Sequence, residues 1–208
     1  MNPRIILASG SPRRRQLLTL AGIAHEVIIS NADETIEGAP DYQVEELAKR
    51  KSLAVMKLMD TPQNPRDTII IAADTLVYIN GRVLGKPGNA EEAFEMLKEL
   101  QGNRHTVYTG VAIDKIVYPR HENQLANVMG VSFVSHADVF FRPLSDEEIR
   151  AYIATGEPFD KAGAYGVQEK CAVLVARVEG DFYTVVGLPI SRVFTALCDM
   201  GVDVWGTE

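Results

Sequence analysis

The sequence is short of the features that mark secreted and membrane proteins. Its 208 residues include two cysteines, Cys171 and Cys198, which is typical of free thiols in a reducing cytosol, although a single bridge between them stays open. Uninterrupted apolar runs, such as Ile69–Ala73, are only a few residues long, whereas a membrane span needs about 20 residues. The first apolar run ends at Ser9-Gly10 and is too short for a signal peptide. These absences predict a cytoplasmic protein without a membrane partner.

Positive charge is also scarce. The chain has 21 Lys and Arg against 28 Asp and Glu, a formal net charge of −7, whereas a general nucleic-acid binder is more often basic. We therefore expect no nucleic-acid partner, and an anionic ligand would require locally gathered positive charge. Hydrophobic residues make up 46% and charged residues 24%, which is ordinary globular composition. The length fits one large domain or two small lobes.

Helix and strand patterns alternate along the chain. Short apolar or β-branched runs predict strands over Ile5–Ala8, Val27–Ile29, Thr68–Ala73, His105–Ile113, Val131–Phe141 and Ala172–Val178. Capping residues and helical periodicity predict helices that begin at Ser11-Pro12, Asp41, Asn89, Ser145 and Pro189. The Asn80-Gly81 pair predicts a tight hairpin between Leu76–Ile79 and Arg82–Leu84. The hairpin and the long late strands predict an α/β fold in which helices flank a mixed central sheet.

An arginine run follows the first predicted strand, in Ala8-Ser9-Gly10-Ser11-Pro12-Arg13-Arg14-Arg15. Backbone N–H groups and the helix dipole make a helix N-terminus an anion site, and arginine adds bidentate donors for phosphate oxygens. The segment lacks the Gly-Lys-Ser/Thr of a Walker A loop. A solvated surface helix is the alternative interpretation. Arginine in the first turn opposes the helix dipole, however, unless an anion offsets it, and this favours a phosphate site.

Asp74 directly follows the apolar run Ile69–Ala73. Carboxylates at the C-terminal ends of sheet strands are well placed to bind a metal or a water molecule. A haloacid-dehalogenase site would require a second Asp two residues later, where this chain has Leu76, so that family is excluded. A turn-forming Asp is the other interpretation, and from this motif alone both stay open.

Three lysines stand out by their surroundings: Lys51, Lys86 in Gly85-Lys86-Pro87, and Lys161 in the segment 160–168. Each lysine by itself is interpreted as a surface charge. The segment 160–168 differs because its small residues allow close approach to a ligand, and the amide of Gln168 can hydrogen-bond a base edge. Glu34 follows the second predicted strand. A carboxylate at this position could reach the same face of the protein as the segment 160–168.

The remaining polar groups suggest no further chemistry. The histidines lack paired spacing, and we interpret them as structural or surface residues: His25, His105, His121 and His136. No nucleophile elbow for Ser/His/Asp catalysis is visible. The polar stretch Tyr118–Asn127 is interpreted as an exposed loop to which we assign no function.

Six segments stand out together by their order along the chain. They are Leu7-Ala8-Ser9-Gly10-Ser11-Pro12-Arg13-Arg14, Ala73-Asp74-Thr75, Gly85-Lys86-Pro87, Thr109-Gly110-Val111, Asp160-Lys161-Ala162-Gly163-Ala164-Tyr165-Gly166-Val167-Gln168 and Val186-Gly187-Leu188-Pro189. In this order they resemble the Maf family of nucleoside triphosphate pyrophosphatases. The resemblance covers residue 4 to about residue 200. The form of the fifth segment is similar to the subgroup that hydrolyses dTTP and UTP, and differs from the subgroup that acts on 7-methyl-GTP.

The resemblance implies a single Maf-like domain over residues 1–208, made of two lobes with a cleft between them. It implies hydrolysis of dTTP and UTP, or modified pyrimidine nucleotides, to the monophosphate and pyrophosphate, with a divalent cation, Mg²⁺ or Mn²⁺, as cofactor. The nucleoside triphosphate is then the partner, and a homodimer is one assembly left open. A non-catalytic nucleotide-binding regulator of cell division is the alternative, although a binder has no need of a carboxylate facing an anionic ligand.

Roles for individual residues also come from the resemblance. Asp74 matches the proton acceptor, and Glu34, Lys51 and Lys86 match positions that handle metal and phosphates, with Glu34 and Asp74 as the metal ligands. The predicted substrate-binding residues are Ser9, Arg13, Arg14, Thr75, Lys161 and Gln168. Among these, Arg13, Thr75 and Gln168 match the positions that set nucleobase preference.

Overall fold

The computed structural model describes residues 2–59, 66–119 and 126–206. The described strands are β1 (Arg4–Leu7), β2 (Glu26–Val27), β3 (Thr68–Ile79), β4 (Arg82–Leu84), β5 (Arg104–Val117), β6 (Asn127–Phe141) and β7 (Val175–Gly180). The described α-helices are α1 (Pro12–Leu20), α2 (Pro40–Leu58), α3 (Ala90–Leu100), α4 (Asp146–Ile153), α5 (Phe182–Val186) and α6 (Ile190–Asp199). Short 3₁₀ turns cover Glu157–Asp160, Ala162–Ala164 and Lys170–Val173.

The strands form one mixed sheet in the order β2-β1-β3-β5-β6-β7, with β4 paired to β3 outside this path. Strand β1 pairs in parallel with β2 and with β3. Strands β3 and β4 are antiparallel, as are β6 and β7. The predicted mixed α/β sheet is therefore confirmed.

The chain divides into two compact units. The first contains Met1–Asp74, Gly110–Val134 and Gly187–Glu208, and the second contains Thr75–Thr109 and Ser135–Val186. In the first unit, apolar side chains of β1, of the residue that follows it, and of β3, α2 and β5 form a buried cluster: Ile6, Ala8, Val55, Ile70, Ala72 and Ile116. In the second unit, α3 packs against α4. Each fully buried Ile in the cluster contributes about 1.5–3 kcal/mol relative to exposure.

The predicted starts of α1, α3 and α4 agree with the structure, where side-chain caps satisfy free N–H groups. Helices α2 and α6 begin at Pro40 and Ile190, one residue from the predicted starts, and have no side-chain cap. Ser11 caps α1 by accepting from the Arg14 N–H. Asn89 caps α3 in the same way. Ser145 and Glu148 form the reciprocal capping box at α4. The hairpin is also confirmed, since Asn80 and Gly81 have φ of 50° and 83°, as a two-residue turn of this type requires.

Several predicted boundaries were wrong. Strand β2 covers two residues, and β7 begins at Val175 because the preceding residues form a 3₁₀ turn. Helix α5 was not predicted, since its five residues are too few to show helical periodicity. Leu58 is 54% exposed in the last turn of α2. Most of the stretch Tyr118–Asn127, including His121, lies outside the described residues.

Asp74 lies within a strand, although the sequence placed it after one. Strand β3 continues through Asp74 to Ile79 and pairs there with β4, in the register Val77↔Leu84. Aspartate is depleted in strands, but here its charge is paired with Lys51. The carboxylate is therefore held by the middle of a long strand.

Gly110 allows α2 to approach β5 closely. A Cβ atom at this position would lie 2.3 Å from the carbonyl carbon and oxygen of Val44 and 2.6 Å from the amide nitrogen of Glu45. These are backbone atoms of α2, so rotation of a side chain cannot relieve the clash. The absence of a side chain at Gly110 therefore determines the distance between α2 and β5. Helix α2 also carries Lys51.

We expect Gly110→Ala to destabilise the protein. Overpacking of this kind costs about 1–3 kcal/mol, which lowers Tm by about 2–12 °C for a chain of this size. Thermal unfolding followed by circular dichroism measures the effect. Gly85→Ala is the matched control, because a Cβ there meets nothing within 4 Å. Equal Tm values for the two variants would contradict the packing argument.

His105 is a buried core residue of the second unit, in agreement with the structural role predicted for it. Its Nε2 lies 2.6 Å from the Tyr165 hydroxyl, and its Nδ1 has no hydrogen-bond partner in the described part of the chain. Phe141 and Tyr165 pack edge-on against the imidazole. Burial lowers the pKa of His105 to about 4, with Asp138 opposing the shift.

This depressed pKa predicts acid lability. In the unfolded chain His105 binds a proton below pH 6.5, whereas in the folded chain it does so only below about pH 4. The contribution of His105 to the free energy of unfolding is therefore complete above pH 6.5 and decreases as the pH falls. The loss at pH 5 is about 2 kcal/mol. Urea unfolding at pH 7 and pH 5 should therefore show a smaller difference for His105→Gln, whose amide does not titrate. Identical differences in the two proteins would exclude His105 as the source.

Candidate active site

One lysine joins two carboxylates in the first unit. Lys51, in the middle of α2, places its Nζ 2.6 Å from Oδ1 of Asp74 and 2.8 Å from Oε1 of Glu34. The Lys51 and Asp74 side chains are 12% and 15% exposed, whereas that of Glu34 is 63% exposed. Helix α2, strand β3 and the loop before α2 thus bring together three residues to which the family resemblance gave roles in proton transfer and in handling metal and phosphates.

The Glu34 and Asp74 oxygens suit a hard divalent cation. Mg²⁺ is usually bound by one or two carboxylates, with waters and substrate phosphates completing its shell. Within the described ranges, no group of three or more His, Cys, Asp or Glu residues could hold a metal. Because the Lys51 ammonium contacts both carboxylates, they already face a positive charge. Glu34 and Asp74 could therefore supply two ligands to a divalent cation, which would share their oxygens with Lys51 and would need further ligands such as water or substrate phosphates.

Ser9 and the start of α1 present hydrogen-bond donors. The Ser9 hydroxyl oxygen accepts from the Ser11 N–H at 3.2 Å and from Nη1 of Arg14 at 3.1 Å. A hydroxyl oxygen has two acceptor positions, so both are used. Ser9, which is 8% exposed, can meet a further ligand only as a donor. A hydroxyl group that can only donate suits an anion at the N-terminus of α1.

Arg14 links the first predicted motif to the last. Its Nε donates to the Gly187 carbonyl at 2.8 Å, 173 residues further along the chain. Burial lowers the pKa of Arg14, while the charges of Asp74 and Glu34 act to raise it. The guanidinium therefore lies within electrostatic reach of both carboxylates. Arg13 is half-buried and Arg15 is exposed, so the three arginines have different environments.

Thr75 is the first residue of the second unit, and the direction of its hydroxyl hydrogen bond can be assigned. Its Oγ1 lies 2.9 Å from Oγ1 of Thr109, and the Thr109 hydroxyl donates to the Thr184 carbonyl at 2.8 Å. A carbonyl only accepts, so the single Thr109 proton is used there and Thr75 is the donor to Thr109. Thr75 therefore meets any other group as an acceptor.

Lys86 and Gln168 are exposed side chains of the second unit. The Gly163 N–H donates to the Gly85 carbonyl at 3.0 Å, which joins the Gly85-Lys86-Pro87 segment to the turn Ala162–Ala164. Gln168 lies in the turn that follows. The prediction that lysines are surface charges fits Lys86.

Lys161 has a different environment from Lys86. It is 5% exposed, and its Nζ donates to the Glu157 carbonyl and to Oδ1 of Asp160, both at 2.7 Å. The general interpretation of these lysines as surface charges is therefore wrong for Lys161, because carbonyl and carboxylate oxygens compensate its burial. It is also wrong for Lys51, whose side chain is 12% exposed and paired with two carboxylates.

The predicted site residues fall into two sets. The first unit contains Ser9, Arg13, Arg14, Glu34, Lys51 and Asp74, and the second contains Thr75, Lys86, Lys161 and Gln168. The sequence did not assign roles to Thr109 or Gly187, which orient Thr75 and Arg14. Both lie in the segments that carry the family resemblance, which is the one signal that pointed to them.

These features define an α/β protein whose first unit combines a helix start that presents hydrogen-bond donors with a lysine–carboxylate cluster. The chain belongs to the family described as Maf-like protein, whose model matches residues 4–200. It is 46% identical over 203 residues to a dTTP/UTP pyrophosphatase of Bacillus cereus, covering 97% of both chains. A dTTP/UTP pyrophosphatase of Bacillus anthracis gives the same identity and coverage. These relatives confirm the family resemblance that the sequence motifs carried.

A more distant likeness is to the solved structure of the Staphylococcus aureus Ham1 protein. The two chains are 15% identical with a TM-score of 0.43, over 95% of this chain and 99% of that one. Among the helices of the described ranges, none has both the length and the apolar composition needed to cross a bilayer.

Proposed function

We propose that the protein is a nucleoside triphosphate pyrophosphatase that hydrolyses dTTP and UTP to the monophosphate and pyrophosphate. The contact of Lys51 with both Asp74 and Glu34 carries the proposal. It places a positive charge, which a polyphosphate requires, beside a carboxylate that can act as a base. The activity of the Bacillus relatives supports the same substrates. We infer further that it works in the cytoplasm as one Maf-like domain of two lobes.

In the proposed reaction, water attacks the α-phosphorus. Asp74 accepts a proton from this water, a new P–O bond forms, and the bond from the α-phosphorus to the α,β-bridging oxygen breaks. That bond's electron pair leaves with pyrophosphate. Glu34 and Asp74 would hold the divalent cation, Mg²⁺ or Mn²⁺, which when bound supplies positive charge against phosphate oxygens.

Donors of the chain would stabilise the charge on the leaving pyrophosphate. Ser9 offers its hydroxyl proton, since both of its acceptor positions are occupied. Arg13, Arg14 and Lys86 add positive charge, and the N-terminus of α1 adds backbone N–H groups. Donors that are already oriented are most effective against charge that develops in the transition state.

Recognition of the base is proposed for Thr75 and Gln168, with Arg13 beside the phosphates. Uracil and thymine offer carbonyl oxygens and one ring N–H. The Gln168 amide can donate to a carbonyl and accept from the N–H. Thr75, being an acceptor towards further groups, also suits an N–H. A site built to hydrogen-bond one base rejects a base that leaves its polar groups unpaired.

A nucleotide panel tests the proposal. With Mg²⁺ present, we expect pyrophosphate release from dTTP and UTP well ahead of ATP and GTP, with no direct release of orthophosphate. Modified pyrimidine triphosphates in the same panel test whether they are the better substrates. Tight binding without pyrophosphate release would instead support a non-catalytic nucleotide-binding regulator.

Gln168→Ala tests the proposed base recognition. We expect the ratio of kcat/KM for UTP over GTP to fall more than kcat/KM for UTP itself, because the amide acts on the difference between the bases. Glu169→Ala is not a suitable control, since Glu169 pairs with Lys161, so exposed Lys170→Ala serves instead. A wild-type ratio near unity would remove the pyrimidine preference and leave the pyrophosphatase activity standing.

A further inference from the structure

We propose that Lys161 is a positioning residue that holds Gln168 in place and makes no contact with the triphosphate. The proposal rests on the proposed function for the role of Gln168, while its structural part concerns the segment 157–170 alone. The sequence had placed Lys161 among the substrate-binding residues. The surroundings of its ammonium lead to a different role.

The three protons of the Lys161 ammonium have three oxygen neighbours within the segment. These are the Glu157 carbonyl at 2.7 Å, Oδ1 of Asp160 at 2.7 Å and Oε2 of Glu169 at 3.4 Å. An ammonium has three donors and no acceptor; two of them are hydrogen-bonded here, and the Glu169 carboxylate pairs with the charge. Burying a charge is costly unless it is paired and hydrogen-bonded. Moving Lys161 to a phosphate would therefore break the contacts that compensate its burial.

The aliphatic stem of Lys161 crosses Gly166. A Cβ atom at position 166 would lie 2.6 Å from Cε and 2.8 Å from Cδ of Lys161. The stem thus occupies the space that any other residue would need. The glycine in the Tyr165-Gly166-Val167 stretch is explained by this crossing, which fixes Gly166 against the lysine.

Gln168 lies between two points that Lys161 holds. Gly166, two residues before it, packs on the stem, and Glu169, directly after it, pairs with the ammonium. The Glu169 N–H also donates to the Gly166 carbonyl at 3.2 Å. Removing the ammonium would release the second point, so the backbone that carries the exposed Gln168 side chain would be less restrained.

The far end of the segment is also tied to this cluster. The Glu157 carboxylate accepts from the Lys170 N–H at 3.2 Å, while the Glu157 carbonyl accepts from Lys161. Both ends of 157–170 are therefore connected to residues around one buried ammonium. A lysine in this position orders the chain that surrounds it.

A direct phosphate contact and a positioning role predict different kinetics. A phosphate contact acts equally on all nucleoside triphosphates and on inorganic triphosphate, which has no base. A positioning role changes the ratio of kcat/KM between nucleotides with different bases, and it leaves the binding of inorganic triphosphate unchanged. Inorganic triphosphate is therefore the probe that separates the two roles.

The experiment compares Lys161→Met with Lys170→Met, an exposed lysine of the same segment. For Lys161→Met we expect the ratio of kcat/KM for UTP over GTP to fall at least about tenfold, on the scale of one lost polar contact to a base. The inhibition constant of inorganic triphosphate should change less than about twofold. Lys170→Met should leave both quantities at the wild-type values. An inhibition constant that rises together with KM for every nucleotide, at an unchanged ratio, would overturn the proposal.

Hydrogen exchange tests the structural part without activity. Amides of residues 157–170 should exchange faster in Lys161→Met and at the wild-type rate in Lys170→Met. Unchanged exchange in Lys161→Met would overturn the anchoring role even if the enzyme had no pyrimidine preference. Gly166→Ala, which keeps the charge but displaces the stem, should reproduce the faster exchange and serves if Lys161→Met does not fold.

Discussion

The Asp74→Asn enzyme is expected to hydrolyse dTTP and UTP at least about 100-fold more slowly than the wild type. Removal of a general base typically costs this much. The amide keeps the size of the side chain and can still accept from Lys51, but it cannot take a proton from water. It also removes one of the two carboxylates proposed to hold the cation. Initial rates of pyrophosphate release at saturating nucleotide measure the loss.

The control for Asp74→Asn is another ion pair of the same unit. Glu26→Gln breaks the pair between Arg4 and Glu26, whose side chains are 36% and 57% exposed. Exposed pairs of this kind contribute little to stability, so turnover should remain at the wild-type level. Near-normal turnover of folded Asp74→Asn would refute the assignment of the base.

Local sequence signals predicted most of the elements of the fold. Capping at Ser11, Asn89 and Ser145 and the Asn80-Gly81 turn are each decided by groups within four residues. Long strands such as β5 are visible as β-branched runs. The errors lie where tertiary contacts decide, because pairing with β4 extends β3 beyond Asp74.

The chemistry of the predicted site residues was visible in the sequence, but their partners were not. Lys51 contacts a carboxylate 23 residues away, and Arg14 reaches Gly187 from the other end of the chain. Single-sequence patterns carry no information on such distances. The burial of Lys161 illustrates the consequence, since three oxygens of its own segment turn an expected surface charge into a buried one.

Lys51 occupies a position that a metal ion would also favour. Its Nζ lies 2.8 Å from Glu34 and 2.6 Å from Asp74, and these two carboxylates are the proposed cation ligands. Two unit charges 4 Å apart interact by about 4 kcal/mol at the effective dielectric constant of a protein surface. The ammonium would therefore compete with a bound cation for the same oxygens and repel it.

Lys51→Met should consequently change metal binding and turnover in opposite directions. We expect Mn²⁺, titrated calorimetrically without nucleotide, to bind at least about tenfold more tightly, which requires only 1.4 kcal/mol of the repulsion to be relieved. Hydrolysis of dTTP should fall by about 30- to 1,000-fold, because a charge aimed at the phosphates contributes about 2–4 kcal/mol. Replacing a lysine with a merely structural role would not strengthen Mn²⁺ binding while it lowers turnover.

Lys49→Met is the matched control, since Lys49 lies on the same helix and pairs with Glu45 four residues earlier. It should leave Mn²⁺ binding and turnover unchanged. Asp74→Asn should weaken Mn²⁺ binding in both the wild-type and the Lys51→Met backgrounds. If Lys51→Met binds Mn²⁺ no more tightly than the wild type, Glu34 and Asp74 are not the carboxylates that hold the cation, and the lysine between them serves only to neutralise their charge.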